Sequence, residues 1–101
     1  MREAIIMNYT LTVKQKLSVT EFSPASPVEN AGAGGVFSAQ AINFAKTQAN
    51  GFIREWTESV GLRMRTQKEW TKNLKTKNFE KQVMMQNGAK PETYVFVLEQ
   101  E

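Results

Sequence analysis

The chain has 101 residues, of which 41% are hydrophobic and 23% charged, with a formal net charge of +3; this is the profile of one globular domain, 1–101, with a modest core. It has no cysteine, histidine or aspartate, which excludes disulfides, thiolate chemistry and zinc–thiolate centres and removes the commonest general base. The ten remaining side-chain carboxylates are all glutamates, no two of them set in an apolar context that would split their pKa values for acid–base work, so the expectation is a non-enzymatic protein without metal or cofactor.

Residues 1–7 are too short for a signal peptide and lack a small-residue cleavage site. Met7 reads as an alternative start, which would make 1–6 dispensable. No run approaches the ~20 apolar residues of a membrane span, and a cytoplasmic protein with no membrane partner is expected. Asn8-Tyr9-Thr10 matches a glycosylation sequon, but no export signal accompanies it. From Asn8 to Phe22 the chain largely alternates: Tyr9, Leu11, Val13, Leu17 and Val19 point one way, and Thr10, Thr12, Lys14, Lys16, Ser18 and Thr20 the other. That predicts a strand with one wet face. Gln15 interrupts the apolar side and marks a bulge or bend.

Ser23 to Gly35 reads as a loop, restricted by Pro24 and Pro27 and freed by the Ala-Gly run at 31–35. A glycine-rich loop entering a helix N-terminus can cradle a phosphate; Gly32, Gly34, Gly35 and Ser38 are the candidate residues. The Walker and dinucleotide spacings are absent, and a flexible crossover is the competing reading.

The stretch Phe37 to Leu62 has a helical period. Ala41, Ile42, Ala45, Ala49, Phe52, Ile53, Trp56 and Val60 share one face, with Asn43, Lys46, Thr47, Asn50, Arg54 and Glu58 opposite. Ser38 is the expected N-cap and Gly61 the expected terminator. Phe37, Phe44 and Leu62 form a second, narrower apolar edge, either core that wraps round the helix or part of a subunit contact, and they are the candidate interface.

Segment 63–81 concentrates the positive charge. Arg63, Arg65, Lys68, Lys72, Lys75, Lys77 and Lys81 face only Glu69 and Glu80. Read as a second helix, it puts Arg65, Lys68, Lys72 and Lys75 on one side and Trp70 and Leu74 on the other. Near Thr76-Lys77-Asn78 the apolar phase slips. Either a short helix follows over 79–86, or Phe79–Met85 is a strand, Asn87-Gly88 turns and Thr93–Leu98 returns. Tyr94, Phe96 and Leu98 alternate with Val95 and Val97, so the last strand is apolar on both faces and needs two neighbours; that favours the hairpin.

The expected class is α+β: a small, mostly antiparallel sheet in the order β-α-α-β-β, with the long helix across it. Apolar residues on both sheet faces predict a homo-oligomer. In size, basic charge and lack of catalytic residues, the chain loosely resembles the accessory proteins of phages and mobile elements. The leading functional expectation is a protein-interaction module: an inhibitor, adaptor or assembly subunit. Two alternatives stand beside it. One is nucleic-acid binding through Arg63, Arg65, Lys68, Lys72, Lys75 and Lys77 with Trp70 as a stacking surface. The other is capture of a small phosphorylated ligand by loop 31–38.

Overall fold

Strand β1 (Met7–Lys16) forms where the two-residue alternation is cleanest, burying Tyr9, Leu11 and Val13 on one face. The computed structural model describes residues 6–29 and 33–101. β1 ends at Lys16, short of the expected Phe22. The amides of Leu17 and Ser18 both donate to the Glu21 carbonyl, and the chain folds back so that Lys16 bridges Phe22. Gln15, the expected irregularity, is where this turn closes: its amide donates to Ser23 Oγ at 2.7 Å and its carbonyl accepts from the Ser23 amide. Leu17 and Val19, expected inside, are therefore 57% and 87% exposed.

Two short strands, β2 (Ser26–Pro27) and β3 (Val36–Ala39), share the outer edge of β1. Leu11 joins them: its carbonyl accepts from the Val28 amide, and its own amide donates to the Gly35 carbonyl at 2.9 Å. Gly35 is buried, with φ at 80°. A Cβ there would lie 2.6 Å from Leu11 O, closer than any side chain can pack, so this position requires glycine.

Helix α1 spans Ile42–Ser59, later than expected, because Val36–Ala39 is drawn into pairing with β1. Ala41 is the N-cap, in extended conformation and without a side-chain bond. Ser38, the expected cap, instead donates to Asn8 Oδ1 across the strands. The far end follows expectation. Gly61 has φ at 74°, its amide donates to the Glu58 carbonyl, and the Leu62 amide donates to the Thr57 carbonyl, the paired bonds of a glycine-terminated helix. Ala45, Ala49, Ile53 and Thr57 are buried. The two alanines let the helix approach the sheet closely, and Trp56, partly buried, sets its ring edge-on to Tyr94 and Phe96 at 5.4 and 5.5 Å. Val60, expected inside, is 47% exposed. Thr57 takes the inner position, satisfying its hydroxyl on the Ile53 carbonyl.

The second helix is absent. Residues 63–77 form β4 (Arg63–Gln67), β5 (Thr71–Lys72) and a turn, and both strands pair with β6 (Phe79–Asn87). The turn is locked by Asn73, whose Oδ1 accepts from the amides of Lys75 and Thr76 and whose carbonyl accepts from the Lys77 amide. β6 and β7 (Lys90–Gln100) form the expected hairpin, turning at Gly88-Ala89. β7 has its two neighbours, β6 and β1.

The class is α+β: an antiparallel sheet in the order β2-β1-β7-β6-β4, with β3 beside β2 and β5 beside β4 at the two edges, and one helix. Under the helix, Tyr9, Leu11, Val13, Phe37, Val83, Met85, Phe96 and Leu98 form the core. On the opposite face Val95, Val97, Gln82 and Met84 lie among Thr12, Lys14 and Thr93; no helix or second sheet lies over this face among the described residues, although neighbouring side chains leave Val95 only 7% exposed. The sheet is elongated, 56 × 30 × 21 Å overall.

Candidate functional site

Three surfaces carry the residues singled out from the sequence. The first is the edge formed by β4, β5 and their turn. Arg63, Arg65, Lys68, Lys72, Lys75 and Lys77 are all exposed there, not as a helical stripe but spread along a sheet edge and its turn, with Arg63 opposite Gln86 on the open face and Lys72 opposite Phe79 on the helix face. From Arg63 to Lys72 this edge spans about 24 Å at the usual strand rise. Lys81, counted with this group, is not part of it. It points under the helix and is 6% exposed, because an odd-numbered position on β6 faces the core.

Trp70 is also not a free stacking surface. It is partly buried, and its Nε1 donates to Asn50 Oδ1 at 3.0 Å. Lys81 Nζ donates to the same oxygen at 2.8 Å and lies 5.7 Å from the Trp70 ring centroid. Burial pushes the Lys81 pKa down, and the charge of Glu69 pulls it partly back. Phe79, beside this cluster, has Lys46 Nζ 4.1 Å and Lys72 Nζ 5.9 Å from its ring centroid. The aromatic rings near the basic edge are thus occupied by the chain's own cations.

At the Arg63 end the edge opens into a groove of about 530 Å³ lined by Arg63, Met64, Arg65, Thr66 and Gln86. The pairing of β4 with β6 shifts register between Met64 and Thr66, which leaves Arg65 as an inserted residue and re-aims it. Its Nη1 donates to Gln86 Oε1 at 3.2 Å, and Gln86 Nε2 donates to the Gly88 carbonyl at 2.7 Å.

The second surface is the glycine-rich segment. Gly32 lies outside the described residues. The geometry that motivated a phosphate loop is not present in the rest: the segment runs into β3, not into a helix N-terminus. The Gly34 amide donates to the Glu29 carboxylate at 3.1 Å, so it meets an anion of the chain itself. Gly35 is packed on Leu11, and Ser38 sits within β3.

The third surface is apolar. Of its three expected members, Phe37 is buried, stacked on Tyr9 at 5.8 Å and edge-on to Phe52. Leu62 packs against the core. Phe44 alone stands out, 61% exposed. It lines a groove of about 300 Å³ with Ile6, Ser38, Ala39, Gln40 and Gln48. Sequence reasoning missed Ile6, also 61% exposed, because its neighbour in space comes from a helix almost forty residues on.

Among the described residues no group of three or more carboxylate side chains gathers as a metal site, and no helix is long and apolar enough to cross a membrane. Comparison with protein-family models, with curated proteins and with solved structures yields no match.

Proposed function

We propose that this chain is a non-enzymatic protein-interaction module that docks a protein partner on the groove beside Phe44. The observation that carries this reading is the joint exposure of Phe44 and Ile6 around an apolar-floored groove. Large apolar side chains exposed side by side, with glutamine and serine at the rim, are the composition of a contact patch and not of an idle surface. A homo-oligomer using the same groove, or the open sheet face, is the simplest case.

The test compares the wild-type chain with Phe44→Glu. Light scattering at tens of micromolar reports self-association. Nuclease-treated capture from the source cells, followed by reconstitution with the purified binder, reports a different protein. Loss of the contact with an unchanged thermal transition supports the reading; a contact that survives Phe44→Glu overturns it.

A second reading rests on the basic edge: nucleic acid binding without sequence readout, through phosphates. Six exposed cations along one sheet edge and its turn support it. Affinity for a single strand should then fall with salt by about 0.7 log unit per log unit for each phosphate contacted. Absence of binding at about 50 mM salt, where the electrostatic contribution is strong, removes it.

A further inference from the structure

We infer that the groove at the β4 bulge is a binding site for a single phosphate group, held by the guanidiniums of Arg63 and Arg65. The inference deepens the nucleic-acid reading by naming one site on the basic edge, and it is independent of the apolar groove.

Arg63 lies directly opposite Gln86 in the sheet, and the inserted residue Arg65 returns to the same glutamine. Both arginines line one groove with that glutamine. Gln86 is itself oriented: its amide nitrogen is engaged by the Gly88 carbonyl, which leaves its oxygen to accept from Arg65. Arg65 is thus pre-positioned by a fixed acceptor that carries no charge. No carboxylate lines the groove.

Two cations lining one groove without an anion between them repel each other; strand register brings Arg63 there, and the bulge with its bond to Gln86 brings Arg65. An arginine spends one of its five N–H groups on Gln86 and keeps the rest. Two guanidiniums and the Thr66 hydroxyl offer more donors than the two oxygens of a carboxylate can accept. A phosphate, with three or four acceptor oxygens, matches the set, and guanidinium forks suit its geometry. A β-bulge at a sheet edge is a common means of aiming a side chain at a ligand.

The phosphate can belong to a small molecule or to a nucleic-acid backbone, and the experiment separates them. The full chain, isotope-labelled, is titrated with inorganic phosphate, with oligo-dT and with glutamate, following backbone amides and arginine Nε–H signals. Shifts centred on residues 63–66 and 86 are expected with phosphate and not with glutamate. Arg65→Lys keeps the charge but loses the fork, and should weaken phosphate binding about tenfold, the worth of one charge-assisted hydrogen bond. Gln86→Glu places a competing carboxylate beside both arginines and should abolish binding while the remaining spectrum stays native.

Oligo-dT binding more tightly than phosphate with the same centre of shifts identifies a nucleic-acid backbone; no such gain identifies a small phosphorylated ligand. Lys68→Gln with Lys72→Gln should weaken oligo-dT alone and leave inorganic phosphate unchanged, so the wider edge can fail while this site stands. The inference is overturned by any of three results: no phosphate-dependent shift, equal response to glutamate, or phosphate affinity unaffected by both Arg65→Lys and Gln86→Glu.

Discussion

Replacing Gly35 by alanine should cost the domain about 2–5 kcal/mol, and the sum can be taken apart. The left-handed backbone at φ 80° penalises any L side chain by roughly 1–2 kcal/mol. The new Cβ would sit 2.6 Å from Leu11 O and 3.3 Å from both Pro27 Cβ and Val28 N. Two of those three neighbours are backbone of the sheet and cannot rotate away, so relief requires moving β3 off β1, which an overpacked site costs about 1–3 kcal/mol. The bonds from the Leu11 amide to Gly35 and from the Val28 amide to Leu11 are the ones such a shift would stretch. At roughly 4 °C or more per kcal/mol for a domain of this size, Tm should fall by at least about 8 °C in a circular-dichroism melt. Gly34→Ala is the control. Its φ is 65° but a Cβ there meets nothing within 4 Å, so only the backbone cost of roughly 1–2 kcal/mol applies. Equal losses at the two positions would refute the close-approach argument. A loss of phosphate binding at Gly35→Ala with Tm unchanged would return the segment to a ligand-binding role.

Lys81→Met should raise stability at pH 7 by about 1 kcal/mol, since a buried charge is exchanged for an apolar chain of similar length and Asn50 Oδ1 keeps its bond from Trp70. The folded pKa of Lys81 lies below the ordinary 10.5, so the unfolded chain binds more protons between the two values. Wild-type stability from this group is therefore lowest below the folded pKa and recovers as pH rises towards 10.5; urea titrations should show the advantage of the variant shrinking as pH rises towards 10.5, and a variant destabilised by more than about 1 kcal/mol would show that the ammonium contributes more than its burial costs. Tyr9→Phe should also stabilise, by about 1 kcal/mol, because the Tyr9 hydroxyl is buried with no hydrogen-bond partner and an orphaned group carries its full desolvation cost. Chemical denaturation measures it, and a loss of stability would mean that the hydroxyl has a partner, such as an enclosed water.

What could be read in advance was what depends on residues close in sequence. The helix over Ala45, Ala49 and Ile53 and the β6–β7 hairpin both announce themselves through local periodicity. So does the apolar alternation of Tyr9, Leu11 and Val13. The misreadings have a common cause in turns and strand edges that periodicity does not show. Segment 63–77 is rich in lysine, arginine, glutamine and glutamate, good helix formers by intrinsic preference, and Trp70 and Leu74 fall one helical turn apart. The unpaired edge of β6 recruits it instead, and Leu74 ends 76% exposed. The signals that could have warned of this were Asn73 and Asn78, turn formers at the ends of 74–77. Likewise Val36–Ala39 continues a helical wheel on paper, but the free edge of β1 claims it. For the candidate site, the concentration of cations was legible and their geometry was not. No spacing rule predicts a one-residue register shift at Arg65, nor that Lys81, in the same basic run, faces inward. Of the two alternatives open for Phe37, core or contact, the structure takes the core, with the rings of Tyr9 and Phe52 packed on it.

The pairing of β1 with β7 has a consequence for how the chain reaches this shape. The central seam of the sheet joins one of its earliest strands to its last one, with Tyr9 opposite Gln100 and Lys16 opposite Thr93. Until residues 90–100 have been synthesised, Leu11 and Val13 lack the neighbours that complete their layer, and α1 has only half a floor to rest on. The β6–β7 hairpin can close by itself through the short turn at Gly88-Ala89, whereas its docking onto β1 must draw together ends separated by some ninety positions. Chains whose native pairs are this distant pay the loop-closure entropy before the contacts reward it, and they fold late and slowly. Assembly should therefore proceed from the C-terminal hairpin outwards, with the β1 seam as the closing step, and a chain cut before Phe96 and Leu98, which fill the core beneath the helix, should lose the whole sheet and not merely its border.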